Sequence, residues 1–136
     1  MKKLIACLFL ASIAILLSSC DPGFNVIVQN DSGRSMDVKV LSDNSYITQH
    51  DSIDVVNAIT SDFAKKEAIA ITTLSEGVYT FNLKESSTAE VNYGRDAPNE
   101  NFKIIINSKD TLTRKSPEYH KEGGFMHKTH IFRITK

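Results

Sequence analysis

Polar and apolar residues alternate along the first third of the chain. Met36, Val38 and Val40 fall on one side of an extended segment, whereas Asp37 and Lys39 fall on the other. A period of two places successive side chains on opposite faces, which is typical of a strand with one buried face. The pattern therefore predicts a half-buried β-strand here.

The same pattern recurs along the chain at intervals of about ten residues. Residues 24–30 alternate before the turn sequence Asp-Ser-Gly at 31–33, which predicts a hairpin with the strand that follows. Further strands are predicted at residues 46–49, 52–59, 78–83, 89–93, 102–106, 111–113 and 127–135. Because strands and helices do not alternate, the pattern indicates an all-β fold, a single antiparallel β-sandwich of about seven or eight strands that occupies residues 24–136.

Two segments interrupt this pattern. Residues 60–76 begin with Thr-Ser-Asp, which could cap a helix, but residues 69–74 are rich in β-branched side chains that disfavour one. We predict a short helical turn or loop followed by a strand, and the choice between helix and strand stays open. A loop containing Pro117, Gly123 and Gly124 is predicted before the last strand.

The first nineteen residues differ from the rest of the chain. Lys2 and Lys3 precede an apolar run from Leu4 to Leu17. That run is too short to be a permanent anchor, because a helix needs about twenty residues to cross a bilayer. The basic start and the short apolar run predict that residues 1–19 form a helical signal peptide, which is removed on secretion.

The signal ends in Leu17-Ser18-Ser19-Cys20, which resembles the lipobox of bacterial lipoproteins. The resemblance implies that the Cys20 sulfur receives a diacylglycerol, that the chain is cut before Cys20, and that the new amino group is acylated, for example with palmitate. A thiolate is the nucleophile that such a thioether requires. Two or three acyl chains hold a protein at a membrane essentially permanently, and residues 20–23 would form a short tether.

The cysteine content and the charge balance exclude some classes of function. Cys7 lies in the signal peptide and Cys20 would carry the lipid, so the secreted domain has no thiol or disulfide chemistry. Lysine and arginine together number 16, and so do aspartate and glutamate. This balance excludes a strongly basic protein that binds nucleic acid. A secreted chain of about 117 residues can bury an ordinary core without a metal or disulfide.

Four further segments of the chain, taken together with the lipobox, resemble those of a known group of proteins. They are Val-Ile-Val-Gln-Asn-Asp-Ser-Gly at 26–33, Ile-Ile-Ile-Asn-Ser-Lys-Asp-Thr-Leu-Thr at 104–113, Ser-Pro followed by Tyr119, and His-Ile-Phe-Arg-Ile-Thr at 130–135. Together with the lipobox, these segments resemble small lipoproteins of Bacteroidales. The resemblance implies an immunoglobulin-like or transthyretin-like sandwich at the cell envelope. That group has no agreed activity, so it supplies no catalytic residue.

The lipid anchor and this resemblance place the protein at the cell envelope, with the outer membrane favoured over the inner one. In many surface-exported lipoproteins of that group, an acidic cluster follows the lipidated cysteine. Here only Asp21 stands before Pro22. The periplasmic and surface sides of the membrane both stay open.

Few residues could bind a metal or catalyse a reaction. The histidines are His50, His120, His127 and His130, and the last two are three positions apart, which in a strand places them on opposite sides. We predict solvent-facing or edge histidines, with no metal site and no cofactor. Ser52 follows a His-Asp pair, but adjacent residues do not form a catalytic triad, and the sequence contains no Gly-x-Ser-x-Gly elbow.

Two short motifs are similar to the Asp-Ser/Thr-aliphatic acceptor sequence of general O-glycosylation in Bacteroidetes. They are Asp51-Ser52-Ile53 and Asp110-Thr111-Leu112. Asp-Ser and Asp-Thr are also ordinary starts of turns. Ser52 and Thr111 are therefore candidate glycosylation sites, and a role in turns is the alternative.

These observations predict a non-enzymatic, lipid-anchored module of the cell envelope that binds a protein or glycan partner, or serves as an accessory subunit. The alternative is a small envelope hydrolase or a protein that binds or processes glycans. A hydrolase needs a pocket with convergent polar groups, and a sugar platform needs exposed aromatic rings. The tyrosines available for such a platform are Tyr46, Tyr79, Tyr93 and Tyr119.

Overall fold

The computed structural model describes residues 23–42, 52–57, 66–94, 97–124 and 127–135. These residues form eleven β-strands and contain no helix. The strands are β1 (Gly23–Asn30), β2 (Met36–Leu41), β3 (Ser52–Asn57), β4 (Lys66–Ala70), β5 (Thr72–Ser75), β6 (Val78–Leu83), β7 (Ser87–Gly94), β8 (Lys103–Ile106), β9 (Asp110–Leu112), β10 (Tyr119–Gly123) and β11 (His127–Ile134).

The strands assemble into two sheets. The six-stranded sheet has the order β10-β11-β1-β7-β3-β4, and the five-stranded sheet has the order β5-β6-β2-β8-β9. Among the described strands, β1 and β11 pair in parallel, whereas every other pair is antiparallel. The first and last strands of the domain are therefore neighbours inside the larger sheet.

One hydrophobic cluster lies between the two sheets and gives the fold a sandwich-like form. It follows from the alternation, because each strand turns every second side chain toward the opposite sheet. The six-stranded sheet contributes Val26, Val28, Ile53, Val55, Ala89, Val91, Phe132 and Ile134. The five-stranded sheet and its loops contribute Met36, Val38, Val40, Tyr79, Phe81, Leu83, Phe102, Ile104, Ile106 and Leu112.

Two buried polar side chains connect the sheets. The Tyr79 hydroxyl donates a hydrogen bond to the Val91 carbonyl across the core at 2.6 Å. Burial raises the pKa of Tyr79, so its hydroxyl stays protonated and remains a donor. The bond satisfies the one polar atom that this large side chain carries into the core.

Asn30 makes the second connection at the opposite end of the core. Its side-chain amide donates to the carbonyl oxygens of Arg34, Leu83 and Lys84 at 2.8 to 3.0 Å, and its side-chain oxygen accepts from Ser32. Asn30 is fully buried, so these partners replace the water that it loses. The side chain therefore joins the end of β1 to the turn that follows it and to the end of β6.

The ambiguous segment at residues 60–76 is β-structure wherever it is described. β4 lies at the edge of the six-stranded sheet, β5 lies at the edge of the five-stranded sheet, and Ile71 alone separates them. The chain thus passes directly from one sheet to the other at Ile71. Because the two strands lie in different sheets, residues 66–75 do not follow one continuous alternation of apolar and polar side chains. The strand predicted in this segment is therefore confirmed and already begins at Lys66, while the possible helical turn at residues 60–65 lies outside the described part.

The predicted loop before the last strand contains a strand that the sequence analysis missed. β10 pairs with β11, and its last residue, Gly123, has a φ of +105°. A Cβ atom at this position would lie 2.3 Å from the carbonyl oxygen of His127, so only glycine fits. Gly123 was predicted to lie in a loop. Instead it is the last residue of β10, and its lack of a side chain allows the backbone of β10 to approach the start of β11 closely.

Other details also differ from the predicted sandwich. The all-β prediction is confirmed, but the described residues contain eleven strands rather than seven or eight, and one of their pairs is parallel. β1 begins at Gly23, which the sequence analysis assigned to the tether. The expected strand at residues 46–49 and the signal helix lie outside the described residues.

Phe132 provides a direct test of the core. It is fully buried, and its ring centroid lies 5.5 Å from that of Phe102 and 5.2 Å from that of Tyr119. We predict that Phe132→Ala lowers the free energy of unfolding by about 3–5 kcal/mol, because the cavity left in the core cannot collapse fully. Leu74→Ala is the control: it removes part of a residue that is 56% exposed and should change the free energy of unfolding by about 0.5 kcal/mol or less.

Urea unfolding of the chain from Asp21 onward measures both changes. Equal urea midpoints for Phe132→Ala and the parent would mean that Phe132 is not a core residue.

Candidate functional site

The most unusual side chain in the described part of the protein is His130 on β11. It is 1% exposed and lies on the core side of its strand, together with Phe132 and Ile134. The Tyr119 hydroxyl and the Nδ1 atom of His130 are 2.7 Å apart. The imidazole ring also contacts Phe24, with 5.9 Å between ring centroids. The prediction of solvent-facing or edge histidines is therefore wrong for His130.

Strand register explains this arrangement. Tyr119 pairs with Phe132 and Lys121 pairs with His130 across the β10–β11 hairpin, so the two aromatic side chains lie on one face. On the other side of β11, Val26 of β1 pairs with His130, which brings Phe24 to the same face. The histidine is consequently enclosed by side chains from both neighbouring strands.

The environment of His130 keeps the imidazole neutral. Burial, reinforced by the positive charges of Lys121, Arg114 and Lys128, lowers the pKa of His130 to about 4. Nδ1 is close to Tyr119, whereas the buried Nε2 atom has no hydrogen-bond partner among the described residues. Protonation would therefore place a positive charge in an apolar site beside three cations, with only one of the two ring nitrogens hydrogen-bonded.

A cleft of about 500 Å³ opens beside Tyr119. It is lined by Glu100, Thr113, Arg114, Lys115 and Tyr119. The Arg114 guanidinium donates a hydrogen bond from Nη1 to the carbonyl of Pro98 at 2.9 Å, which fixes its position. The hydroxyl of Tyr119 is held in the same way by His130. The cleft therefore presents a cation and an aromatic ring in defined orientations.

The cations around this site have no acidic partner among the described residues. Arg114, Lys115, Lys121 and Lys128 form no ion pair there, in contrast to the pairs on the outer face of the larger sheet. Those pairs join Lys66 to Asp54 and Glu90, and Arg133 to Asp31, at 3.3 to 3.6 Å. Unpaired cations around an aromatic cleft favour an anionic ligand.

The structure places the residues singled out by the sequence in different regions. His127 is exposed and His130 is buried, which confirms that these two histidines do not share a face. His120 is exposed on β10. Cys20 and His50 lie outside the described residues. Within the described ranges, no group of three or more metal-binding side chains could hold a metal ion.

The candidate glycosylation sites are both accessible. Ser52 is the exposed first residue of β3, and Thr111 is exposed in β9, an edge strand of the smaller sheet. Thr111 lines a second groove, of about 330 Å³, together with side chains of the chain end such as Arg133. Neither hydroxyl lies in the cleft beside Tyr119.

The Tyr119–His130 pair was not predicted, because the pattern predicted no strand at residues 119–123. Tyr119 and His130 are separated by ten residues of polar and glycine-rich sequence that contains no recognisable motif. The alternation of His130, Phe132 and Ile134 along the last strand is the signal that could have placed the histidine on the core face.

Comparison with protein-family models, curated proteins and solved structures gives no match. In the described part of the chain, no helix is long and apolar enough to span a bilayer. The function must therefore be argued from the sequence and from this site.

The buried histidine predicts a pH dependence of stability. In the unfolded chain an imidazole titrates near pH 6.5, whereas His130 in the folded protein titrates near 4. Between these values the unfolded chain binds a proton that the folded protein does not. Stability is therefore lost as the pH falls from about 6.5 to about 4, by at most about 1.4 kcal/mol per pH unit from this group.

Urea unfolding of the parent and of His130→Gln between pH 7.5 and about 4.5 measures this contribution. We expect a weaker pH dependence in His130→Gln than in the parent. Ile131→Val perturbs the same strand without removing a titrating group, so it should keep the pH dependence of the parent. Parallel pH profiles for the parent and His130→Gln would contradict the assignment.

Proposed function

We propose that this protein is a lipid-anchored, non-enzymatic module of the cell envelope that binds a partner through the cleft beside Tyr119. The observation that carries the anchor is the sequence Leu17-Ser18-Ser19-Cys20 at the end of a short apolar segment. β1 begins at Gly23, so the folded domain starts three positions after the cysteine. The proposed immunoglobulin-like or transthyretin-like sandwich would stand directly on the membrane, with the outer membrane favoured.

The chemistry of the cleft supports a binding role. Arg114 is oriented by its bond to Pro98, and Tyr119 is oriented by His130, so both are arranged before a ligand arrives. A preorganised site loses little side-chain entropy when it binds. Lys115 and Thr113 also line the cleft, so its lining holds two cations and one carboxylate, that of Glu100. This balance suits an acidic segment of an envelope protein or an acidic glycan.

The alternative hydrolase function is less well supported by this geometry. His130 is neutral near pH 7 and so has the protonation state of a general base. However, it is 1% exposed, and its nearest polar neighbour is a tyrosine hydroxyl rather than a serine. A general base must reach the proton that it removes, and this imidazole is covered by Phe24 and Tyr119.

A tyrosine platform for sugars also has little support. Tyr79 is fully buried and bonded across the core, and Tyr119 is only half-buried beside His130. Tyr46 and the side chain of Tyr93 lie outside the described part. A glycan would therefore bind through charge and hydrogen bonds at the cleft rather than by stacking on paired tyrosines.

The exposure of Ser52 and Thr111 is compatible with glycosylation by an envelope enzyme. Both hydroxyls are reachable, and both follow an aspartate as the acceptor motif requires. Glycans at these positions would leave the cleft beside Tyr119 open, because neither residue lines it.

Substitution at Cys20 tests the anchor. We expect Cys20→Ser to abolish labelling by a fatty-acid analogue and to leave the signal peptide uncut, because a hydroxyl is a far poorer nucleophile than a thiolate at neutral pH. Cys7→Ser is the matched control, since Cys7 lies inside the signal and should not receive lipid. Labelling and membrane fractionation of cells expressing each variant give the result. Undiminished labelling of Cys20→Ser would rule out lipidation at this residue.

A further inference from the structure

The parallel pairing of β1 and β11 determines which residues lie near the start of the domain. Gly23 pairs with His127 and Phe24 pairs with Lys128, so the start of β11 lies beside the start of β1. Lys128 also pairs with Gly123, the last residue of β10. We call this end of the larger sheet, from which the chain leads back toward Cys20, the anchor end.

Three cations surround His130 near the anchor end. Lys121 pairs with His130 across the hairpin, and Lys128 lies two positions before His130 on the same strand. Arg114 shares the cleft with Tyr119, whose hydroxyl is 2.7 Å from His130. We call Arg114, Lys121 and Lys128 the basic cluster. These three residues form no ion pair in the described part of the chain.

The described acidic residues near this end form no ion pair with the cluster. Glu122 pairs with Thr129 and thus projects to the opposite face of the hairpin from Lys121. Glu100 lines the cleft but forms no ion pair with Arg114. Within the described residues, the basic cluster therefore keeps its positive charge available to a ligand.

The distance from Cys20 to this cluster is limited by the chain. Three residues of fully extended chain span at most about 10 Å. A lipid on Cys20 would thus hold Gly23 within about 10 Å of the bilayer surface, which is about one Debye length at physiological salt. Lys128 lies beside Phe24, one position from Gly23, and Lys121 lies at the level of Val26, three positions from Gly23. Basic residues close to an anionic membrane surface are attracted to it.

We propose that Lys121 and Lys128 of the basic cluster bind the anionic headgroups of the membrane that holds the lipid anchor, and so fix the domain upright with its anchor end against the bilayer, while Arg114 stays available to the partner in the cleft. This inference rests on the proposed lipidation of Cys20. The membrane is a better occupant than a soluble anion, because the anchor would keep headgroups permanently beside the cluster. The cleft beside Tyr119 would then open close to the membrane surface.

Lysine labelling of the lipidated protein tests this proposal. The protein, purified from its own membranes, is placed in vesicles of phosphatidylcholine alone or with about 30% phosphatidylglycerol, and acetylation of each lysine is followed by mass spectrometry. Lys121 and Lys128 should react at least about threefold more slowly in the anionic vesicles. Lys84 and Lys109, which are exposed in turns at the other end of the strands, should react equally in both.

Two double variants show whether the membrane contact depends on Lys121 and Lys128 or only on the total positive charge of the protein. In the parent, Lys115 at the cleft should also be protected by anionic vesicles. Lys121→Gln with Lys128→Gln should remove that protection, whereas Lys84→Gln with Lys109→Gln should retain it. Sodium chloride at about 0.5 M should restore labelling in the parent, because it shortens the Debye length to about 4 Å.

The outcomes distinguish this inference from the proposed function. Equal labelling of Lys121 and Lys128 in the two kinds of vesicle, with lipid present on Cys20, overturns the headgroup contact and leaves the anchor intact. A mass spectrum with an unmodified Cys20 overturns both. Protection that soluble glycerophosphate reproduces in detergent, without vesicles, would identify a soluble anion as the ligand and would also overturn the membrane contact.

Discussion

The parallel pairing of β1 with β11 is the constraint on which the other features of the molecule depend. It places the first and last strands side by side within the larger sheet, so neither is a free edge. It brings Phe24 against His130 and sets Lys128 beside the start of the domain. It also brings Arg133 to Asp31, which closes the other end of the same pair of strands. Both the buried histidine and the charge of the anchor end follow from this register.

Much of the strand content could be predicted from alternation alone. Met36, Val38 and Val40 are buried as their period of two predicts, and the last strand turns Phe132 and Ile134 into the core. Alternation is a local property and carries no information about which strands become neighbours. The passage from β4 to β5 at Ile71, the short strand β10 and the parallel pairing therefore could not be predicted, because each depends on contacts between distant segments.

The candidate site was harder to predict than the fold. His130 could be placed on the core face by its spacing from Phe132, but its hydrogen bond to Tyr119 depends on the register of a hairpin hidden in polar sequence. The cleft depends on Arg114 meeting the loop at Pro98, sixteen positions away in the chain. Such sites arise where segments converge in space, so their residue types alone give no signal. The proposed lipobox is the opposite case, because such a motif is a continuous stretch of sequence.

Disulfide trapping across β1 and β11 tests the parallel register most directly. Gln29 pairs with Arg133, and partners on adjacent strands lie about 5 Å apart, within the range that a disulfide can bridge. We predict that Gln29→Cys with Arg133→Cys cross-links under mild oxidation, with loss of both free thiols in the intact mass. Gln29→Cys with Ile131→Cys, offset by two residues to about 8 Å, should stay reduced. Equal cross-linking of both pairs, or none in the first, would contradict the register and the arrangement of the anchor end derived from it.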